Sequence, residues 1–82
     1  MMEKEIKALI DSLFDESEKE KAADFVSRLK KKHVMANSSE NLKNARVSAL
    51  KLSKGNLEEL KELIESAKGD FRDVIYWASQ QK

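Results

Sequence analysis

Apolar residues in this chain recur at helical intervals along nearly its whole length, which leaves little room for any fold but a packed set of helices. Ile6, Leu9, Ile10, Leu13 and Phe14 follow the i, i+3, i+4, i+7, i+8 pattern that puts five side chains on one helical face. Period-2 alternation fits them badly. The chain has no proline and only two glycines. A β protein of this size needs more turn residues than that. The same periodicity argues against disorder, even though 38% of the residues are charged.

The spacing predicts about five short helices, at approximately 3–14, 18–32, 38–53, 57–68 and 71–80. Ser17-Glu18-Lys19-Glu20 reads as a capping box opening the second helix. Ala22, Phe25, Val26 and Leu29, with His33 beyond them, form its stripe. Arg28, Lys30, Lys31 and Lys32 at its end complement the negative end of the helix dipole. Asn37-Ser38-Ser39-Glu40 offers a cap for helix 3. Its apolar residues, Leu42, Ala45, Val47, Ala49, Leu50 and Leu52, cover more than half the circumference. Helix 3 is therefore expected to be central.

The last third contains a near-repeat with a period of 14. Lys54-Gly55-Asn56-Leu57 matches Lys68-Gly69-Asp70-Phe71. Each glycine is expected to take a left-handed position ending one helix, and the following Asn or Asp to cap the next. Leu57, Leu60, Leu63, Ile64 and Ala67 would face inward on helix 4, and Phe71, Val74, Ile75 and Ala78 on helix 5. Such tight junctions point to an orthogonal array. With 82 residues the chain is expected to be a single domain, 1–82, with a modest core.

Charge is segregated. Residues 1–27 carry a net −4, residues 28–54 a net +7 and residues 57–82 a net −2, within a total of +1. Arg28, Lys30, Lys31, Lys32, Lys43, Arg46, Lys51 and Lys54 would make a basic patch able to meet phosphates or an acidic protein. The plainer account has greater weight: the positive middle meets the negative flanks inside the fold, and the rest is solvated. The stretch also lacks interleaved aromatics for base stacking.

The residues offer little for catalysis. There is no cysteine, so neither a disulfide nor a thiolate is available, which fits a reducing compartment. The lone histidine, His33, follows three lysines and has no motif supplying a nucleophile, acid or metal partner. It reads as structural or exposed. Glu58 and Glu62 lie one turn apart and could approach a cation, but read better as solvated carboxylates. Gly55 and Gly69 stand alone, so no phosphate-cradling loop is indicated. No cofactor, metal or catalytic residue is expected.

A helix-turn-helix over Ser66-Ala67-Lys68-Gly69-Asp70 has the right length. However, Glu65 occupies the position that needs a small residue, and Asp70 and Asp73 would repel phosphates at the start of the reading helix. The apolar runs are far shorter than the ~20 residues of a membrane span, and the charged start Met1-Met2-Glu3-Lys4-Glu5 lacks a signal-like apolar run. A cytoplasmic location without membrane association is expected.

Tyr76 and Trp77 are the most suggestive local feature. Trp77 falls at the edge of the apolar face of helix 5 and Tyr76 well outside it. Exposed aromatics are favoured anchors in protein interfaces. For Trp77 the preferred expectation is that it lies over an adjacent helix and closes the core. For Tyr76 the two readings balance. Arg72 is expected to bridge to a carboxylate on helix 4 and is the third candidate for partner binding.

Ala45-Arg46-Val47-Ser48-Ala49-Leu50-Lys51-Leu52-Ser53-Lys54-Gly55-Asn56-Leu57, continued by Lys68-Gly69-Asp70-Phe71-Arg72-Asp73-Val74-Ile75, resembles short bacterial proteins of uncharacterised function. Those carry an R-x-x-x-L-K-L-(S/A)-x-G-(D/N)-L segment and an aromatic-R-D-(V/L)-(L/I) helix. The likeness covers about residues 45–78. It implies a small bacterial helical domain and brings no activity with it. The Lys68-Gly69-Asp70 junction is also similar, more weakly, to ubiquitin-associated-type three-helix bundles, and no binding residue is carried over from them.

Together these readings favour a non-catalytic protein–protein interaction or small regulatory module. The alternative is a nucleic-acid-binding accessory protein using the basic stretch 28–54. Helices 3 and 5 carry more apolar circumference than so small a monomer readily covers, which points to a homodimer as one way to cover it.

Overall fold

The computed structural model describes residues 4–34 and 39–80. Among these the fold is built of four α-helices and one short 3₁₀ turn, not about five helices. They are α1 (Lys4–Leu13), α2 (Glu16–Ser27), α3 (Ser39–Ser53) and α4 (Leu57–Ser79). The turn, Lys31–His33, lies between α2 and α3. The Asn37-Ser38 cap expected for helix 3 lies outside the described residues.

One core joins all of these elements. It takes Ile6, Ile10 and Phe14 from α1 and its end, and Ala22, Val26 and Leu29 from α2 and its end. Val34 enters after the turn, Ala45, Ala49 and Leu50 come from α3, and Leu60, Leu63, Ile64, Ala67, Phe71 and Val74 come from α4. The stripes read from the spacing supply this core, while Leu9, Leu13, Phe25, Leu42, Val47, Leu52, Leu57 and Ile75 from the same stripes are half-buried against it.

Helix α3 is enclosed on most sides: of its fifteen residues only Ser39, Glu40, Asn44 and Lys51 are exposed. It packs against α1, α4 and the 3₁₀ turn, and its contact with α4 is the most extensive in the molecule. Ala45 and Ala49, facing the core with Ala67 of α4, are small enough to let helix backbones approach closely. The Cα radius of gyration, 11.4 Å, matches the roughly 11.7 Å of a compact chain of this length.

Both ends of α2 depart from the sequence expectation. Its N-cap is Asp15, whose backbone is extended (φ −69°, ψ 160°) and whose carbonyl accepts from the amides of Glu18 and Lys19. Phe14 is buried just before it, so the chain turns at once and the helix begins early. Ser17 thus falls inside the first turn, and the Ser17–Glu20 box does not form.

At the other end, Leu29 must reach the core, and Lys30 turns extended (φ −117°, ψ 168°). The helix stops at Ser27, so Lys30, Lys31 and Lys32 lie beyond it rather than in its last turn. They still serve the helix end: Lys30 Nζ donates to the Ser27 carbonyl at 3.1 Å. Arg46 on α3 donates from Nη2 to the Leu29 carbonyl at 2.7 Å and from Nε at 3.2 Å, fastening the α2 exit to α3.

The two glycine junctions, alike in sequence, fold differently. Gly55 takes the expected left-handed conformation (φ +85°), next to Lys54 at φ +52°. Asn56 then caps α4, its Oδ1 accepting from the Glu59 amide at 2.9 Å. Gly69 has no positive φ. The break falls on Asp70, at φ −152° and ψ 99°, a kink at which two helical segments of α4 adjoin. The expected fifth helix is therefore the second arm of α4.

Candidate functional site

The break at Asp70 decides what the second arm of α4 can reach. Glu59 and Trp77 are eighteen residues apart, so a straight helix would separate them by about 27 Å. Instead both line a single groove of about 530 Å³, together with Leu52, Ser53, Lys54, Asn56 and Leu63. The arm after Asp70 therefore folds back toward the α3–α4 junction.

Asp70 caps the second arm, the role expected of the residue after Gly69, and is itself held in place. Its Oδ1 accepts from the Arg72 amide at 3.0 Å and from Arg72 Nε at 3.1 Å, while Oδ2 accepts from Arg72 Nη2 at 3.1 Å. Arg72 thus bridges to the carboxylate at the break itself, not to one further back along α4. Its side-chain hydrogen bonds, and then the backbone amide, hold the Asp70 carboxyl below its usual value of 3.8. Asp70 in turn raises the Arg72 guanidinium.

A group whose folded-state value is depressed contributes stability above its unfolded value and loses it as the pH falls through the folded value. Asp70→Asn keeps the oxygen acceptor but not the charge. Wild type should therefore be the more stable protein at neutral pH. Its margin over Asp70→Asn should shrink once the pH drops below 3.8, as read by urea titrations at stepped pH.

Trp77 does not close the core. Its side chain is 44% exposed at the groove, above Leu63 and the half-buried Leu52, and Tyr76 beside it is 62% exposed. These are the large exposed hydrophobic residues among the described ones. Arg72 is also exposed, but its guanidinium is engaged by Asp70.

The basic residues of 28–54 do not all face solvent freely. Arg28 Nη2 pairs with Asp24 at 2.8 Å and stacks over the Phe25 ring, 5.0 Å from its centroid. Lys43 reaches Glu5 on α1 at 3.4 Å, so part of the positive middle does meet the negative N-terminal third. Arg46 is spent on the Leu29 carbonyl. Lys31, Lys32, Lys51 and Lys54 are exposed, the first two at the 3₁₀ turn and the last two at the C-terminal end of α3.

His33 has a structural task. Its Nδ1 accepts from the Lys30 amide at 2.9 Å while its own amide donates to the Lys30 carbonyl, closing the turn from both sides. Glu58 and Glu62 are exposed. Among the described residues no group of three or more His, Cys, Asp or Glu could hold a metal ion, and no helix is long and apolar enough to cross a membrane.

Leu52, Leu63 and Glu59 were not singled out by sequence as site residues, and Lys54 was named only as part of the basic patch. They lie on α3, the turn after it and the first arm of α4, and nothing in their spacing announces that the second arm of α4 returns to them. No protein-family model, curated protein or solved structure matches the chain, so its function has to be argued from these residues.

Proposed function

We propose that this chain is a non-catalytic protein-interaction or small regulatory domain of the bacterial cytoplasm, docking through the face that carries Trp77 and Tyr76. The observation that carries this reading is the placement of two large aromatics in solvent beside a groove floored by Leu52 and Leu63. Exposed apolar area costs free energy unless something covers it. Trp and Tyr at the centre of an interface commonly supply most of its affinity.

The basic stretch supports a nucleic-acid reading less well. Arg28, Lys43 and Arg46 are committed to partners within the protein, which thins the field a phosphate backbone would meet.

Trp77→Ala and Tyr76→Ala test the reading. Tyr76→Ala should stay within about 1 kcal/mol of wild type, while Trp77→Ala, which gives up the covered half of the ring, should cost roughly 2 kcal/mol and still leave the domain folded, as circular dichroism checks. In capture from a host extract, wild type should retain specific proteins, further copies of this chain counted among them, that the double variant loses, with affinity falling roughly 30-fold or more. An identical set of captured proteins for wild type and double variant would overturn the proposal.

A further inference from the structure

We infer that the occupant of the Trp77 groove is a second copy of this chain, paired about a two-fold axis; the inference rests on the docking face proposed above. A two-fold interface is isologous, so one surface must supply both the projection and the recess, and residue i must meet residue j while j meets i. This surface does both. Trp77 keeps 44% of its surface in solvent and lines a recess together with Leu52 and Leu63.

The rims of the recess are matched in charge. Lys54 and Glu59 both line it, and neither makes an ion pair among the described residues. A two-fold axis passing between them would set Lys54 against Glu59 of the second copy and Glu59 against its Lys54. That gives two ion pairs and no net charge. A strongly acidic or strongly basic partner would meet a like charge on one rim, which costs affinity.

Lys54 sits at φ +52° between the end of α3 and Gly55, which sets the direction in which its side chain leaves the backbone. A stable pairing buries about 800 Å² on each partner. That is about one seventh of the 5376 Å² accessible surface.

The chain has one tryptophan, so its emission reports on this site alone. Light scattering and Trp77 emission are measured on the full chain from low micromolar to millimolar concentration. The expected result is a mass rising from 9.4 kDa to twice that value, with a blue shift of the emission over the same range. Trp77→Ala should remain monomeric. Lys54→Glu and Glu59→Lys should each weaken pairing by about tenfold, and the double exchange should restore it to within about threefold of wild type.

A monomer at every concentration, or a double exchange no better than the single ones, overturns the inference. If the chain stays monomeric while capture of other proteins still depends on Trp77, self-pairing is wrong and the docking face stands. If neither depends on Trp77, both fall.

Discussion

Gly55→Ala is expected to cost about 3 kcal/mol, enough to remove most of the ~5 kcal/mol stability of so small a domain. Two costs add. At φ +85° an L side chain is strained by roughly 1–2 kcal/mol. The new Cβ would also lie 2.5 Å from the Leu13 carbonyl oxygen, which is backbone at the end of α1 and cannot swing aside. The α3–α4 turn would have to lift from α1. The midpoint of thermal unfolding should fall by roughly 15–20 °C. Gly69→Ala provides the contrast. Nothing lies within 4 Å of its added Cβ, and the residue has no positive φ. Replacing it should therefore stabilise the protein by about 0.5–1 kcal/mol. Equal losses at the two glycines would show that their junctions fold alike after all.

Leu50→Ala should cost about 3 kcal/mol, with unfolding by urea as the measure. Leu50 is fully buried on α3, the helix enclosed by α1, α4 and the 3₁₀ turn. The cavity left by truncation would be walled by several elements, none able to collapse into it without leaving the others. Leu52, two residues on, is half-buried at the groove, where water replaces the lost methyls. Leu52→Ala should cost under about 1.5 kcal/mol. A Leu50 loss as small as that of Leu52 would contradict the enclosed position of α3.

What the sequence disclosed follows the distance over which each feature is decided. The inward residues of α1 and α4 were legible because a helix buries one face and repeats it every turn. Asn56 and Gly55 were legible because a cap and a left-handed stop are local chemistry. The second glycine junction was legible only in part: Asp70 caps the next segment much as Asn56 does, but the break falls on Asp70 itself, where Arg72 holds it, so Gly69 has no left-handed turn to make. The capping box at Ser17 failed because burial of Phe14 brought the helix forward to Asp15. Lys30–Lys32 fell outside α2 because Leu29 had to reach the core. The groove was the least legible feature. Leu52, Lys54, Glu59, Leu63 and Trp77 meet only because α4 bends, and no spacing in the chain states the angle of a bend.

The docking face exists only because of that bend. Without it Trp77 would lie far from Lys54 and Glu59, and there would be no shared face to dock. The chain lacks cysteine, so nitroxide labels can be placed cleanly at Glu59→Cys and Trp77→Cys and their separation read by dipolar electron paramagnetic resonance. Labels that couple strongly, at a separation well short of the straight-helix value, are the predicted result. A separation near the ~27 Å of an unbroken α4 would contradict it.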